Sequence, residues 1–237
     1  IHLANIANDP AVELNPILSW EVNVLASQRI ASFALDSGVE NIIYASSGSV
    51  YGISDKEKVT EKVELFPISE YNKTKMVAER VFLSYQNDMK IFCIRPATVC
   101  GVSPRMRLDV AVNILTYSAL KNNLIKVFGG KQIRPNIHID DICGIYEFFL
   151  LNANNISSGC FNAGFENISI MDIAKRVKNQ IPSCSIQVEE SNDPRSYRQC
   201  SDLLLSLGYK PKKTVNDAIN DIIKAFKEGA LNDSKMA

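Results

Sequence analysis

Tyr71 and Lys75 stand four residues apart, the spacing that puts two side chains on one face of a helix. A phenol beside an ammonium ionises more readily than a free tyrosine, because the cation stabilises the phenolate. Upstream, the run NIIYASSGSVYG (41–52) passes from the apolar Ile42, Ile43, Tyr44 and Ala45 to the hydroxyls of Ser46 and Ser47. That is the pattern of a buried strand opening into a ligand crevice at its carboxyl end. A serine hydroxyl, an activated tyrosine and a lysine can move a proton on and off an alcohol oxygen while a hydride moves on the carbon. The short pattern is weak alone, since Tyr117/Lys121 and Tyr209/Lys213 repeat it. Pro211 interrupts the last pair, and proline cannot lie inside a helix. Tyr117/Lys121 reads as a surface helix with no serine-ended strand before it. Only Tyr71/Lys75 follows such a strand.

The elements that position these groups alternate. A long apolar-periodic helix over 14–37, closed by Gly38, precedes the strand 41–46; a polar loop over 53–69 precedes a second long helix over 70–88 and the strand 90–96. Near-continuous apolar strands alternating with helices predict an α/β fold with a Rossmann-type parallel sheet. After Gly101 the texture changes. The pattern gives helices over 110–121, 140–151, 170–181, 201–207 and 215–226, and short strands over 126–128, 136–139, 159–164 and 185–189.

The 237 residues are 46% hydrophobic and 22% charged, enough for a sizeable core. Lys and Arg number 26, as do Asp and Glu, a balance that argues against nucleic acid or a membrane surface as partner. No apolar run approaches the roughly 20 residues of a membrane span, and no signal peptide is visible. Six widely spaced cysteines form no Cys-x-x-Cys, and the 2 histidines, His2 and His138, are far from a metal cluster, so no metal is predicted. Cys93 and Cys143 lie in apolar segments and read as buried thiols, and a reducing cytoplasm is the natural compartment. His2 and His138 read as packed strand residues, the latter beside Asp140.

The pieces IHLAN, VNV around Asn23, YASSGSVYG, YNKTK, IRPATVCG, RPNIHIDD, NAG at 162–164 and the closing RSYR…LGYKP follow one another in order. Together they resemble the extended short-chain dehydrogenases/reductases, in the branch of NAD-dependent nucleotide-sugar epimerases and dehydratases, over essentially the whole chain. The resemblance implies a partial NAD(P)-binding Rossmann domain over 1–102, with 138–151 returning to it. It implies a substrate-binding lobe from 103–137 and 152–237. By position, Ser47 matches the catalytic hydroxyl that hydrogen-bonds the sugar oxygen, and Tyr71 the general acid/base. Lys75 matches the residue that holds the nicotinamide ribose and lowers the tyrosine pKa. Leu3, Ala4, Asn23, Ala45, Ser46 and Pro96 fall at cofactor positions, Asn23 matching a buried asparagine that pins its helix. Asn5 stands where the family usually has alanine. Ser47, Ser49, Thr98 and Arg105 fall at substrate positions, with Arg107 on the same loop as Arg105. Arg134 and Arg195 match arginines that clamp a diphosphate, a task suited to a bidentate fork.

Two departures bear on the reaction. The 4,6-dehydratases of the family carry acidic residues just after the catalytic hydroxyl, where this chain has Gly48 and Ser49; elimination of water needs an acid and a base there. Thr98 replaces the asparagine that often meets the substrate diphosphate, a departure from UDP-galactose 4-epimerase. The family's glycine-rich phosphate loop has no counterpart in the 237 residues. IHLAN reads as the tail of a strand, and family spacing places that loop upstream of Ile1. The function implied is an epimerase of a nucleotide-activated sugar using NAD or NADP. A 4-keto sugar reductase and an inactive or non-catalytic binding protein of the same fold stand as alternatives. The wide apolar arcs of helices 14–37 (Leu25, Ile30, Phe33, Leu35) and 70–88 (Met76, Val77, Val81, Phe82) predict a homodimer through these two helices.

Overall fold

The computed structural model of the protein describes residues 1–191 and 196–231. Along the chain, α1 (Asp9–Leu14), α2 (Pro16–Trp20) and, after a π-type turn over Glu21–Leu25, α3 (Ala26–Asp36) lead into β1 (Asn41–Ala45). A 3-10 turn over Gly48–Tyr51 and a long loop precede α4 (Glu70–Leu83), β2 (Lys90–Pro96) and β3 (Thr98–Cys100). Then come α5 (Ala111–Asn122), β4 (Leu124–Phe128), β5 (Ile133–His138), α6 (Ile139–Asn152), β6 (Gly159–Ala163) and β7 (Glu166–Ser169). The chain continues through α7 (Ile170–Gln180), β8 (Ser185–Glu189), α8 (Asp202–Ser206) and α9 (Val215–Lys227).

The expected single helix over 14–37 is interrupted. Proline at position 16 cannot continue α1 but suits the first position of a new helix. Asn15 turns out of helical geometry, and its side chain accepts the Leu18 amide at 3.0 Å. Gly38, at φ 74°, ends the α3 segment as expected.

β1, β2 and β6 form a parallel sheet in that order, with Ile43 opposite Phe92 and Ile94 opposite Phe161. His2 adds a parallel bridge on the free edge of β1. Side chains alternate across the sheet. Ile42, Tyr44, Ile91 and Cys93 pack with Ala31, Ala78 and Phe82 from α3 and α4. Ile43, Phe92 and Ile94 face Ile145 and Phe149 of α6 on the other side. Both faces are covered, so the strands are apolar throughout, as their sequence predicts. In the second sheet β3 pairs parallel with β5, and β5 pairs antiparallel with β7. A separate core of Val112, Leu115, Ile125, Val127, Ile173, Val177 and Ile219 joins α5, α7 and α9 to β4, which pairs in parallel with β8.

Three side chains sit otherwise than the sequence suggests. Phe82 points into the core against Tyr44 rather than outward. Tyr117, read as surface, is buried and packs edge-on against Phe226 of α9, a helix too distant in sequence for local periodicity to register. Cys143 is exposed because it lies on the outer side of α6, whereas Cys93 is buried.

A buried ion pair ties the sheet to the α4 helix. Arg95 donates through Nε and Nη2 to the two carboxylate oxygens of Glu79 at 2.8 and 2.7 Å. The side chains are 4% and 1% exposed. Removing one partner of such a pair strands the other charge, at a cost of about 3–5 kcal/mol. Glu79→Ala is therefore expected to lower unfolding stability by about that amount, read from urea midpoints. The double replacement Glu79→Met/Arg95→Met is expected to recover at least half of the loss. A Glu79→Ala protein of unchanged stability would contradict this role.

Candidate active site

The carboxyl ends of β1, β2 and β6 open on one side of the sheet, the place where parallel α/β folds bind ligands. There the chain leaves β1 through Ser46 and Ser47 and turns sharply over Gly48–Tyr51. The turn closes at Gly52, φ 67°, where a Cβ would fall 1.9 Å from the Phe66 carbonyl oxygen, so only glycine fits. Ser47 and Ser49 share a hydrogen bond of 2.7 Å between their hydroxyls, and Ser49 donates to Asn72 Oδ1 at 2.6 Å. That bond carries the serine turn to the first turn of α4, whose N-cap Ser69 accepts the Asn72 amide.

Tyr71 follows in the same helical turn. Burial pushes its phenol up to about 12, and the Ser47 hydroxyl and then the Arg107 charge oppose that rise, while Asp9 adds to it. One turn on, Lys75 is 3% exposed and its Nζ donates to the Ala45 carbonyl at 2.6 Å. The ammonium lies 4.9 Å from the centre of the Tyr44 ring and 5.9 Å from that of Tyr71. Burial lowers the Lys75 ammonium from 10.5 to about 7, with Glu79 opposing. Arg107, which the Tyr-x-x-x-Lys pattern does not contain, is among the groups that oppose the rise of the Tyr71 phenol.

The cofactor-side residues gather around this point. His2 donates its amide to Ile43 O and its carbonyl accepts from Ala45 N, laying residues 2–4 along β1, with Leu3 and Ala4 exposed. Ala45 supplies the carbonyl that holds Lys75. Pro96 ends β2 opposite Ala163 of β6. Asn23 is buried at the π-type turn: it accepts from Ile6 N at 2.8 Å and donates to Ile6 O and Thr74 Oγ1. It therefore fixes the segment after Ala4 to α4. Ser46 turns its hydroxyl inward to Glu79 at 2.5 Å, leaving Ser47 as the outward hydroxyl of the pair. Of the three Lys75 protons, the described hydrogen bonds use one. The other two suit vicinal hydroxyls such as those of a ribose.

The substrate-side residues divide. Arg105 and Arg107 line a 690 Å³ cavity with the 5–11 segment. Arg107 also lines an adjoining 550 Å³ cavity with Asp9, Ser69, Asn72 and Asp109. Arg134 stands apart with Lys126, Phe128 and Gln132 in a 470 Å³ cavity of the second lobe, which Asp109 also reaches. Thr98 lies on β3 opposite Asn136. Arg195 lies outside the described residues. The sequence pattern gave no role to Glu79 or Gln199, and it marked Asn162 only as part of the NAG piece at 162–164. Glu79 could have been found by extending the helical spacing, since it is one turn beyond Lys75 on the same face. Gln199 could not, because it meets the site only through the fold. His138, buried as predicted, accepts the Asp140 amide at Nδ1 and lies 3.2 Å from Asp221 through Nε2.

For Lys75 the direction of pH linkage is fixed. Its folded value is below its unfolded one, so between about pH 7 and pH 10.5 the unfolded chain binds a proton that the folded chain does not. Stability from this residue rises with pH over that window. The stability difference between the protein and Lys75→Met is expected to shift in favour of the lysine protein from pH 7 to pH 10, by urea unfolding. A difference that does not change with pH would show that the ammonium is not desolvated.

The family model described as NAD dependent epimerase/dehydratase matches residues 1–164. A UDP-glucose 4-epimerase of Lactobacillus helveticus is 24% identical, with 94% of this chain and 74% of that protein covered. An ADP-L-glycero-D-manno-heptose-6-epimerase of Brachyspira hyodysenteriae is 29% identical over 81% of this chain and 65% of its own length. The chain thus spans about two thirds to three quarters of these relatives. Among solved structures, MoeE5 in complex with UDP-glucose and NAD superposes with a TM-score of 0.84 at 23% identity, covering 97% of this chain and 79% of that one. UDP-glucuronic acid 4-epimerase from Bacillus cereus, in complex with UDP-glucuronic acid and NAD, superposes at 0.82 with 25% identity over 96% and 74%.

Proposed function

Because the chain belongs to the NAD dependent epimerase/dehydratase family, we propose that it serves in an NAD-dependent epimerase of a nucleotide-activated sugar. The observation that carries the reading is the convergence of Ser47, Tyr71 and Lys75 at the carboxyl end of a parallel sheet. NAD, when bound, supplies the hydride acceptor and donor. Ser47 orients the sugar hydroxyl. Tyr71 takes its proton as the carbon is oxidised and returns it when the sugar, turned over, is reduced on the other face. Lys75 holds the ribose hydroxyls of the cofactor with the donors left by its bond to Ala45. Gly48 and Ser49 put no carboxyl beside the serine, which favours epimerisation over elimination of water. Arg134 and Lys126, with the aromatic face of Phe128, give the second-lobe cavity the chemistry of a nucleotide diphosphate site. Arg195 is proposed as a further contact to the diphosphate.

A 4-keto sugar reductase would use the same three residues in one direction and consume its reduced cofactor in proportion to product. In the full-length enzyme we expect nucleotide-sugar turnover with catalytic NAD and no net consumption. Tyr71→Phe is expected to reduce it at least about a hundredfold. Stoichiometric loss of reduced cofactor would move the reading to the reductase, and near-normal activity of Tyr71→Phe would exclude both.

A homodimer through the α1–α3 and α4 segments is proposed on the apolar side chains that the α1–α3 segment leaves uncovered. Leu14, Ile17 and Phe33 are 88%, 74% and 74% exposed, and Leu25 is 55% exposed. Exposed large apolar side chains along one segment suit an interaction surface, and a closed two-fold pair is the commonest arrangement. Sedimentation of the full-length protein at micromolar concentration is expected to give a dimer, and Phe33→Glu with Leu25→Glu a monomer. A wild-type monomer would refute the proposal.

A further inference from the structure

We propose that Cys93 and Cys160 are a dithiol that a peroxide oxidises to a reversible disulfide, fastening β2 to β6 beneath the active site. The placement comes from strand register. In the parallel pairing of β2 with β6, Cys93 stands opposite Cys160, and both strands end shortly afterwards at Pro96 and Ala163. Residues in register on neighbouring strands point to the same face. Here that face is the one covered by α3 and α4. Cys93 belongs to the core of Ile42, Tyr44, Phe82 and Ile91, and Cys160 packs against the same core. Neighbouring strands run about 4.7–4.9 Å apart, inside the Cα separation of about 4.4–6.8 Å that a disulfide spans. All the cysteines are free thiols, and the others are placed differently. Cys100 stands opposite His138, and Cys143, Cys184 and Cys200 lie outside the strands.

The two thiols are unequal, and that sets the order of events. Cys93 is 0% exposed, whereas Cys160 is half-buried on the edge strand of its sheet. A small oxidant from solvent therefore meets Cys160 first. The Cys160 sulfur attacks one peroxide oxygen, the O–O bond breaks, and the thiol proton leaves with the other oxygen as water or alcohol, giving a sulfenic acid. Cys93, whose thiol is pushed up by the Cys160 thiol beside it and then by burial, keeps its proton until this step. Its sulfur then attacks the Cys160 sulfur. The S–O bond breaks, and the hydroxyl leaves with the Cys93 proton as water. Two thiols have lost two electrons and the peroxide has gained them. Cys160 Sγ also donates to Glu79 Oε2 at 3.7 Å, and the bridge removes that donor. Glu79 keeps its bonds from Arg95 and Ser46, so the sheet retains its buried ion pair when the bridge forms.

The test reads the sulfurs directly, so its outcome does not depend on the nucleotide-sugar assignment. The folded full-length protein is treated with hydrogen peroxide, its remaining thiols are alkylated with iodoacetamide, and it is digested without reductant for mass spectrometry. Cys93 and Cys160 are expected to leave the alkylated set together and to appear as one cross-linked peptide pair. Dithiothreitol is expected to return both. Cys160→Ser, which keeps a donor for Glu79, is expected to lose the cross-link entirely, and Cys143→Ser, which removes an exposed thiol, to keep it. In Cys93→Ala the sulfenic acid on Cys160 has no resolving thiol and is expected to be captured by dimedone. The oxidised protein is expected to unfold at a higher urea concentration than the reduced one, because the bridge closes the chain between residues 93 and 160. Peroxide-treated protein in which both cysteines are still alkylated would overturn the proposal. So would Cys160 carried to the sulfinic acid with Cys93 still free, or a cross-link that forms without raising the urea midpoint, since the fold would then be resisting the bridge. Should Cys93→Ala fail to fold, the unsubstituted protein and Cys160→Ser decide.

Discussion

The buried pair of Glu79 and Arg95 is the constraint on which the site depends. A carboxylate and a guanidinium cannot be left apart in an apolar interior, so the second turn and a half of α4 must sit against the carboxyl end of β2 wherever the chain folds. That single requirement sets the phase of the helix. With Glu79 turned toward the sheet, Lys75 one turn earlier also faces it and Tyr71 two turns earlier reaches the serine turn. The pair also satisfies its neighbours. Ser46 donates to Glu79, Arg95 Nη1 donates to the Tyr51 hydroxyl at 2.8 Å, and the Tyr51 hydroxyl donates to Asn162 Oδ1 at 2.7 Å. Nearly every polar atom in this dry layer has a partner, which is what makes the arrangement unique rather than merely stable.

The same layer joins the two halves of the chain. Asn162, at the end of β6, donates to Val59 O and Cys200 O, each at 3.0 Å. Gln199 donates to Arg95 O and to Asn162 Oδ1, and its Oε1 lies within 3.1 Å of where a Gly48 Cβ would be. A Cβ at Gly48 would also lie 3.0 Å from the Pro96 carbonyl oxygen, so a side chain there would have to displace both neighbours slightly. The segment that descends from the second lobe thus rests on the backbone of the serine turn, and the geometry at Ser47 is shared between both lobes.

Burial is what gives the site its chemistry. In water a tyrosine and a lysine four residues apart would simply share a helix face. Here desolvation raises the phenol to about 12 and lowers the ammonium to about 7, moving two groups of nearly equal ordinary values apart and carrying the phenol toward the weaker acidity of an alcohol. A proton can then be exchanged between a sugar hydroxyl and the phenol with less mismatch.

Much of this was legible in the sequence because the signals are local. Apolar runs gave β1 and β2, the four-residue spacing gave Tyr71 and Lys75 a common face, and the change from apolar run to hydroxyls marked the crevice at Ser46 and Ser47. Family resemblance added the roles. What the sequence could not settle is whatever depends on a partner distant along the chain. The inward Ser46 and outward Ser47 are distinguished only by Glu79, and the burial of Tyr117 only by α9. The antiparallel pairing of β7 with β5, and the closing of the 101–107 loop by Asn113, likewise depend on partners outside the local pattern. The sequence by itself determined which chemical groups the site owns and which elements carry them, because periodicity and turn chemistry act over a few residues. Only the tertiary structure decided the charge each group bears and which of them touch, because desolvation and electrostatic fields come from side chains that sequence distance does not order.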